Sequence, residues 1–188
     1  VRLWQEWRFW LTALASFVLL SLAGGLLAYW LVDTPPTYHR TDYFEFGLPR
    51  DWSCRREGTE TVCRPPGQPP NDAIIIFTAK YRNEHDTLAA YRAHLERPQE
   101  NQRTDGTAML SEVLSVAERR IGNYRWIDGT HVGSEIPGYH TRYLATVTSH
   151  IGVLITFSAH SSTRERRMRE FEDCIDTLRV YQTPLPTM

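Results

Sequence analysis

The 188 residues carry 21 Lys and Arg against 22 Asp and Glu, a formal net charge of −1. With Arg2, Arg8 and Glu6 at the start set aside, 19 basic residues face 21 acidic ones. A near-neutral chain without a basic stripe has no means of gripping a phosphate backbone, which excludes nucleic acid as a partner.

Phe9 to Val32 is a run of 24 residues without a charge. As a helix it reaches roughly 36 Å, enough to cross the ~30 Å hydrocarbon core of a bilayer. Trp4, Trp7 and Trp10 stand at one end and Tyr29 and Trp30 at the other, where amphipathic rings settle between headgroup and acyl chain. Arg2 and Arg8 precede the run, while Asp33 and no Lys or Arg before Arg40 follow it. The positive-inside bias then leaves residues 1–8 in the cytoplasm and the rest outside. A cleaved signal peptide is the rival reading, since Ser21-Leu22-Ala23 passes as a cleavage site. Against it, the run stays apolar from Gly24 to Val32, where a signal peptide turns polar. Gly24-Gly25 offers a flat patch for a second membrane helix.

Residues 33–42, which include Pro35 and Pro36, read as a short stiff linker. The domain proper then runs over residues 43–181, long enough for one core, with a tail at 182–188. Phe44, Phe46 and Leu48 alternate as in a half-buried strand. Cys54 and Cys63 flank CRREGTETVC; a turn near Glu57-Gly58 brings the thiols face to face, and outside the cytoplasm a disulfide is permitted. Arg64 to Asp72, RPPGQPPND, is an exposed loop, and AIIIFTAK (Ala73–Lys80) is the best central strand. Asp86 or Thr87 opens a helix with Leu88, Tyr91 and Leu95 on one face, closed by Pro98. Gln99 to Gly106 reads as a mobile polar loop, and Ala108 to Ser115 fits helix or strand equally.

Tyr124–Ile136, Tyr139–Ser149 and Ile151–His160 read as three successive antiparallel strands with tight turns at Pro137-Gly138 and around His150-Gly152. A capping box, Ser162-x-x-Glu165, starts a last helix whose apolar face holds Met168, Phe171, Cys174 or Ile175, and Leu178. Its arginines, Arg164, Arg166, Arg167 and Arg169, read as a solvated face laced with Glu165, Glu170 and Glu172. Cys174 reads as a buried thiol. The predicted fold class is therefore α+β: an N-terminal transmembrane helix, then an α/β/α sandwich with a mainly antiparallel sheet flanked by helices.

The opening FGLPRDW (Phe46–Trp52), the strand AIIIFTAK, the helix TLAAYRAHL, the run WIDGTHVGSEIPGYHTRYLATV, the strand GVLITFSAH and the final amphipathic helix resemble, in that order, the PsbP-like fold superfamily, named for the extrinsic P subunit of photosystem II. The resemblance spans about Tyr43 to Val180. It implies a non-catalytic accessory subunit, assembly factor or binding module. The anchored form departs from the soluble or lipid-anchored members, so the resemblance names no partner.

No G-x-S-x-G, paired-carboxylate, P-loop or G-x-G-x-x-G pattern is present, and His131, His140, His150 and His160 lack metal-ligand spacing. The expectation is a protein that is not an enzyme and has no cofactor or metal. Tyr124–Tyr143 is dense in the residue types of interface hot spots, and Arg125, Trp126, Arg142 and Tyr143 are the candidates for contact or packing, with Gly24 and Gly25 in the span. If Trp126 faces the core, Arg125 and Ile127 face the other way. Two functions follow. One is a single-pass accessory subunit of a bacterial inner-membrane complex, its periplasmic domain bracing integral-membrane partners and its helix among lipids. The alternative is an anchored binding module that holds a small apolar or lipid-like ligand between sheet and helix.

Overall fold

The structure, a computed structural model, describes residue 10 and residues 14–25, 35–67, 72–102 and 108–182. The chain divides into two compact units, Val1–Pro35 and Pro36–Met188. In the first, residues 14–25 are helical, and a Cβ added at Gly24 or Gly25 would meet nothing. Among the described residues no helix is long and apolar enough to cross a membrane. The rest of the predicted span, residues 9, 11–13 and 26–32, lies outside them.

The second unit is α+β. Its strands are β1 (Thr37–Arg40), β2 (Phe44–Leu48), β3 (Ser53–Glu57), β4 (Glu60–Arg64), β5 (Ala73–Tyr81), β6 (Glu100–Gln102), β7 (Ala108–Leu110), β8 (Glu112–Ile121), β9 (Tyr124–Val132), β10 (Tyr139–Val147), β11 (Ile151–His160) and β12 (Arg179–Val180). Helix α1 is Leu88–Leu95 and α2 is Arg164–Thr177. Seven strands form one sheet in the order β3-β4-β5-β11-β10-β9-β8, each pair antiparallel. The meander β9-β10-β11 and the central place of AIIIFTAK match the sequence reading. Residues 108–115, open between helix and strand, fall in β7 and in β8, which runs on to Ile121. The loop assigned from Gln99 instead carries β6, paired with β7; residues 103–107 lie outside the described ones.

Phe44–Leu48 forms a strand as its alternation predicts, but in a second, three-stranded sheet, β1-β2-β12. Residues 37–40, assigned to the linker, are the edge strand of that sheet. It packs with α2 over one face of the large sheet. Phe46 stacks on Phe77 at 3.9 Å between centroids, and Phe157 on Phe171 at 4.6 Å. Ile75, Ile155, Leu144, Trp126 and Ile175 complete a core from which water is excluded. Each such side chain contributes about 1.5–3 kcal/mol relative to an exposed one. The Trp126 indole N–H has no acceptor among the described residues, so this position is filled for its volume.

The hairpin β3-β4 sets Cys54 directly opposite Cys63, and the two form a disulfide. The capping box on α2 does not form. Thr163 is the N-cap and makes no side-chain capping bond, and the Ser162 hydroxyl lies 2.8 Å from His160 Nδ1 instead of capping the helix. The solvated arginine face also needs correction at Arg167, whose side chain is 6% exposed. Its guanidinium donates to Asp72 at 2.9 Å and to Glu170 at 2.8 Å and lies 5.6 Å over the Trp52 ring. Asp72, read as part of an exposed loop, thereby ties the start of β5 to α2. Cys174 is a buried free thiol, as expected.

The opposite face of the large sheet carries α1. Thr87 caps it, accepting from the Ala90 N–H at 3.1 Å. Two glycines seat the helix: a Cβ at Gly129 would lie 3.2 Å from Leu95, and one at Gly152 would lie 2.7 Å from the Tyr91 oxygen. His131, fully buried on β9, donates from Nε2 to the Leu95 carbonyl at 2.8 Å, which leaves Nδ1 to accept from Ser111 at 3.1 Å. Ser111 in turn accepts the Gln99 N–H at 2.8 Å.

Two predictions follow from these contacts. Arg167→Ala leaves Asp72 and Glu170 without their shared cation beside the core, and denaturant unfolding should show a loss of about 3 kcal/mol; a loss near zero would mean that water replaces the guanidinium. Burial holds the imidazoles of His39, His131 and His140 below the ordinary 6.5, for His131 against the Leu95 carbonyl and with His94 adding to the depression. The unfolded chain therefore binds more protons below that pH, so stability is full above it and falls as the solution is acidified. The melting temperature should drop between about pH 8 and about pH 5, and drop less in His131→Gln. An equal drop in both proteins would remove His131 from the account.

Candidate functional site

Helix α1 has only eight residues and covers part of its face of the sheet. Beside it lies a cleft of about 770 Å³. Its floor comes from the strands: Thr78 and Lys80 of β5, Gly152, Leu154 and Thr156 of β11, Tyr143 and Ala145 of β10. The pleat explains this set, since alternate residues of each strand share a face. Ala90, Tyr91, His94 and Leu95 of α1 form one wall, with Gln99 and Glu100 beyond the helix. Ser134 and Glu135, in the turn between β9 and β10, form another.

The polar groups gather at two places. At the first, the Lys80 ammonium stands 2.8 Å from the Asp86 carboxylate, which also accepts from the Asn83 N–H at 2.9 Å and from the Tyr91 hydroxyl at 3.3 Å. Burial opposes ionisation of Asp86, but Asn83, Lys80 and Tyr91 together hold its carboxyl below the usual range. Burial and then the Asp86 charge push the Tyr91 hydroxyl up to about 12. Tyr91 is therefore a fixed donor at neutral pH, not a base. At the second place the Tyr143 hydroxyl donates to Glu135 at 2.7 Å and stands 2.9 Å from Ser134 Oγ. Burial raises its pKa; Ser134 opposes this and the Glu135 carboxylate adds to it. Between the two places the lining is Leu154 and Ala145. The cleft is thus apolar in its middle and rimmed with hydrogen-bonding groups, the makeup of small-molecule sites.

The residues singled out from sequence are dispersed. Trp126 is fully buried in the core beneath α2 and presents no surface. Ile127 lies on the opposite face, in the α1 cluster, and Arg125 is exposed, so the two flank Trp126 as its inward orientation requires. Arg142 is buried under α2, where it grips Asp128 at 2.8 and 2.6 Å and also bonds Glu172. Tyr143, its neighbour in sequence, faces the cleft. Gly24 and Gly25 belong to the other unit.

His131 is a structural clamp, His140 lies 3.2 Å from Arg164, His150 is exposed, and His160 bonds Ser162. Among the described residues no group of three or more His, Cys, Asp or Glu is placed to hold a metal. Lys80, Asp86, Ser134 and Glu135 were not singled out from sequence. Asp86 was read only as a helix start, and Glu135 lay unmarked inside the aromatic-rich stretch. A lysine that is the sole one of its kind, followed six residues later by a helix-opening aspartate, is the one signal that pointed there.

No protein-family model and no curated protein matches the sequence. Solved structures do match. The cyanobacterial PsbP protein CyanoP of Synechocystis aligns with a TM-score of 0.54 at 13% identity, over 80% of this chain and 95% of its own. LpqN of Mycobacterium tuberculosis, involved in cell envelope biogenesis, aligns with a TM-score of 0.50 at 12% identity, over 80% and 90%. A chain from Bacteroides thetaiotaomicron aligns with a TM-score of 0.45 at 19% identity; 73% of this chain matches, and it spans 45% of the Bacteroides chain. At these identities the likeness to CyanoP and LpqN shows the fold alone, and that fold is PsbP-like.

Proposed function

We propose that the chain is a non-catalytic binding protein, anchored by residues 9–32 in a bacterial inner membrane, whose periplasmic domain holds a small lipid-like ligand in the α1 cleft. The observation that carries this reading is the cleft itself: a volume of about 770 Å³ between a short helix and the sheet, apolar in the middle and hydrogen-bonding at its rim. That volume suits a molecule of about drug size. The anchor rests on the 24-residue uncharged run and its flanking tryptophans, and the disulfide is compatible with an extracytoplasmic setting.

Native mass spectrometry of the gently extracted full chain tests the cleft. Ala90 is exposed on α1 and lines the mouth, so Ala90→Trp narrows the cleft without entering the core. The wild type should retain an adduct that Ala90→Trp depletes several-fold. Equal retention by both proteins would place the adduct elsewhere and overturn the reading.

One observation favours a second reading, the accessory subunit. Among the described residues strand β8 pairs on one side only, and Leu110, Leu114 and Ile136 stand exposed on or near it. An edge of this kind suits a protein partner, in this reading an integral-membrane subunit that also packs on Gly24 and Gly25. Alkaline carbonate should leave the full chain in the membrane pellet. Size-exclusion chromatography after mild detergent extraction should then show a stoichiometric partner that is lost in Gly24→Leu/Gly25→Leu. A lone monomer in the wild type would count against this second reading.

A further inference from the structure

The buried serine and threonine hydroxyls of the domain are hydrogen-bonded with one exception. Among the described residues, Ser111, Ser134, Thr141, Thr146, Thr148 and Ser158 are buried and each has a partner. Thr156 is only 8% exposed, and its hydroxyl has no hydrogen-bond partner among the described residues. The unpaired N–H of Trp126 lies in the closed core, whereas Thr156 lines the α1 cleft. A hydroxyl withdrawn from bulk water and left unpaired is unfavourable, so its partner comes from whatever fills the cleft.

The surroundings of Thr156 decide what that partner is. Its neighbours Ile155 and Phe157 belong to the core, and the pleat turns Thr156 to the other side. Across the sheet it stands opposite Ile76 of β5 and Tyr143 of β10, with Leu154 two residues back on its own strand. Lys80, paired with Asp86, stands opposite Gly152, four residues away along β11. At strand rise this is about 13 Å. Glu135 meets the Tyr143 hydroxyl, and His85, His94 and Glu100 are exposed to water. An ion brought down to Thr156 loses its water and meets no free counter-charge there, whereas an uncharged oxygen loses less and gains the Thr156 O–H. We infer that the cleft takes an uncharged amphiphile, an alcohol, ketone or ester, whose oxygen accepts a hydrogen bond from Thr156 and whose apolar part lies over Leu154 and Ala145. The inference rests on the ligand-binding reading above and adds the ligand's chemical class and the residue that selects it.

The test uses the full chain in phosphatidylcholine nanodiscs, with empty nanodiscs as the control. Isothermal titration compares 2-hexanone, n-hexanol, n-hexanoate and n-hexylamine at about pH 8, where the last two are ionised. The two neutral probes should bind one to one and roughly tenfold or more tighter than either ion. Thr156→Val, of the same shape without the hydroxyl, should weaken both neutral probes roughly fivefold. Thr156→Ser, which keeps the hydroxyl, should bind them as the wild type does. The melting temperature of Thr156→Val should not fall, since no bond within the protein is lost; a fall would reveal such a bond and overturn the assignment. An ion bound as tightly as the neutral probes overturns the uncharged class, and neutral binding undiminished in Thr156→Val overturns the role of Thr156. Binding that Ala90→Trp abolishes would in either case leave the cleft standing without them. Failure of all four probes to saturate overturns the cleft together with its ligand class.

Discussion

A helix of two turns has too little apolar surface to hold itself on a sheet, and the organisation of one whole face follows from that limit. Helix α1 brings only Leu88, Tyr91 and Leu95 to the sheet, and of these Leu95 alone is fully buried. Hydrophobic burial of this size contributes a few kcal/mol, about what ordering the helix costs. Other devices therefore secure it. Gly129 and Gly152 let the helix approach until Leu95 and Tyr91 touch backbone. His131 holds the last helical carbonyl from below, and the Asn83–Asp86 turn with Lys80 holds the entry. Held at its ends and short in its middle, the helix leaves the remaining sheet uncovered, and the cleft is that remainder.

The other face is built on the opposite principle. Helix α2 runs 14 residues, and the small sheet β1-β2-β12 extends the cover beyond it. Gly47 allows β2 to lie against the end of α2, where its N–H donates to Thr177 at 2.8 Å. Three arginines on this face are paired at its border: Arg142 with Asp128 and Glu172, Arg119 with the same two carboxylates, Arg167 with Asp72 and Glu170. Such pairs fix register and orientation more than they add stability, because removing charges from water offsets most of their attraction. Strands β5, β11, β10 and β9 serve both faces at once. Odd residues of β11 build the closed core and even ones the open cleft, so a single step in register would exchange the two.

The sequence made the backbone elements legible where side-chain pattern is strong and one-sided. AIIIFTAK and the three strands of the meander announce themselves because each is long, β-branched and bounded by Pro, Gly or Asn. The Cys54–Cys63 pair was legible because the turn residues between them set the register. Pattern failed where a residue's partner is distant. Arg167 lies among three other arginines on one helix, and what separates it from them is its burial over the Trp52 ring between Glu170 and Asp72, a partner 95 positions away. Ser162 and Glu165 have capping-box spacing, yet His160, two residues earlier, competes for the serine. Phe44–Leu48 has strand periodicity, which says nothing of which sheet it joins. The same limit hid the site, for Lys80, Tyr91, Glu135 and Tyr143 come from four different segments and meet only through sheet order.

The location of the candidate site follows from how the two faces divide their tasks. A closed face with stacked aromatic rings and edge-paired arginines gives a rigid sheet, and a rigid sheet lets the opposite face stay incomplete without loss of fold. Polar side chains on that second face are then free of packing duty. Thr78 and Thr156 sit on strands whose reverse sides are Phe77 and Ile155, so the backbone that carries them is set by the core. Binding groups placed this way are preorganised, because the energy that fixes them was already spent on folding. The α1 wall lacks that support and depends on the His131 clamp. A ligand that bridges wall and floor would therefore tighten the least secured element of the domain, and binding there would be coupled to the stability of α1.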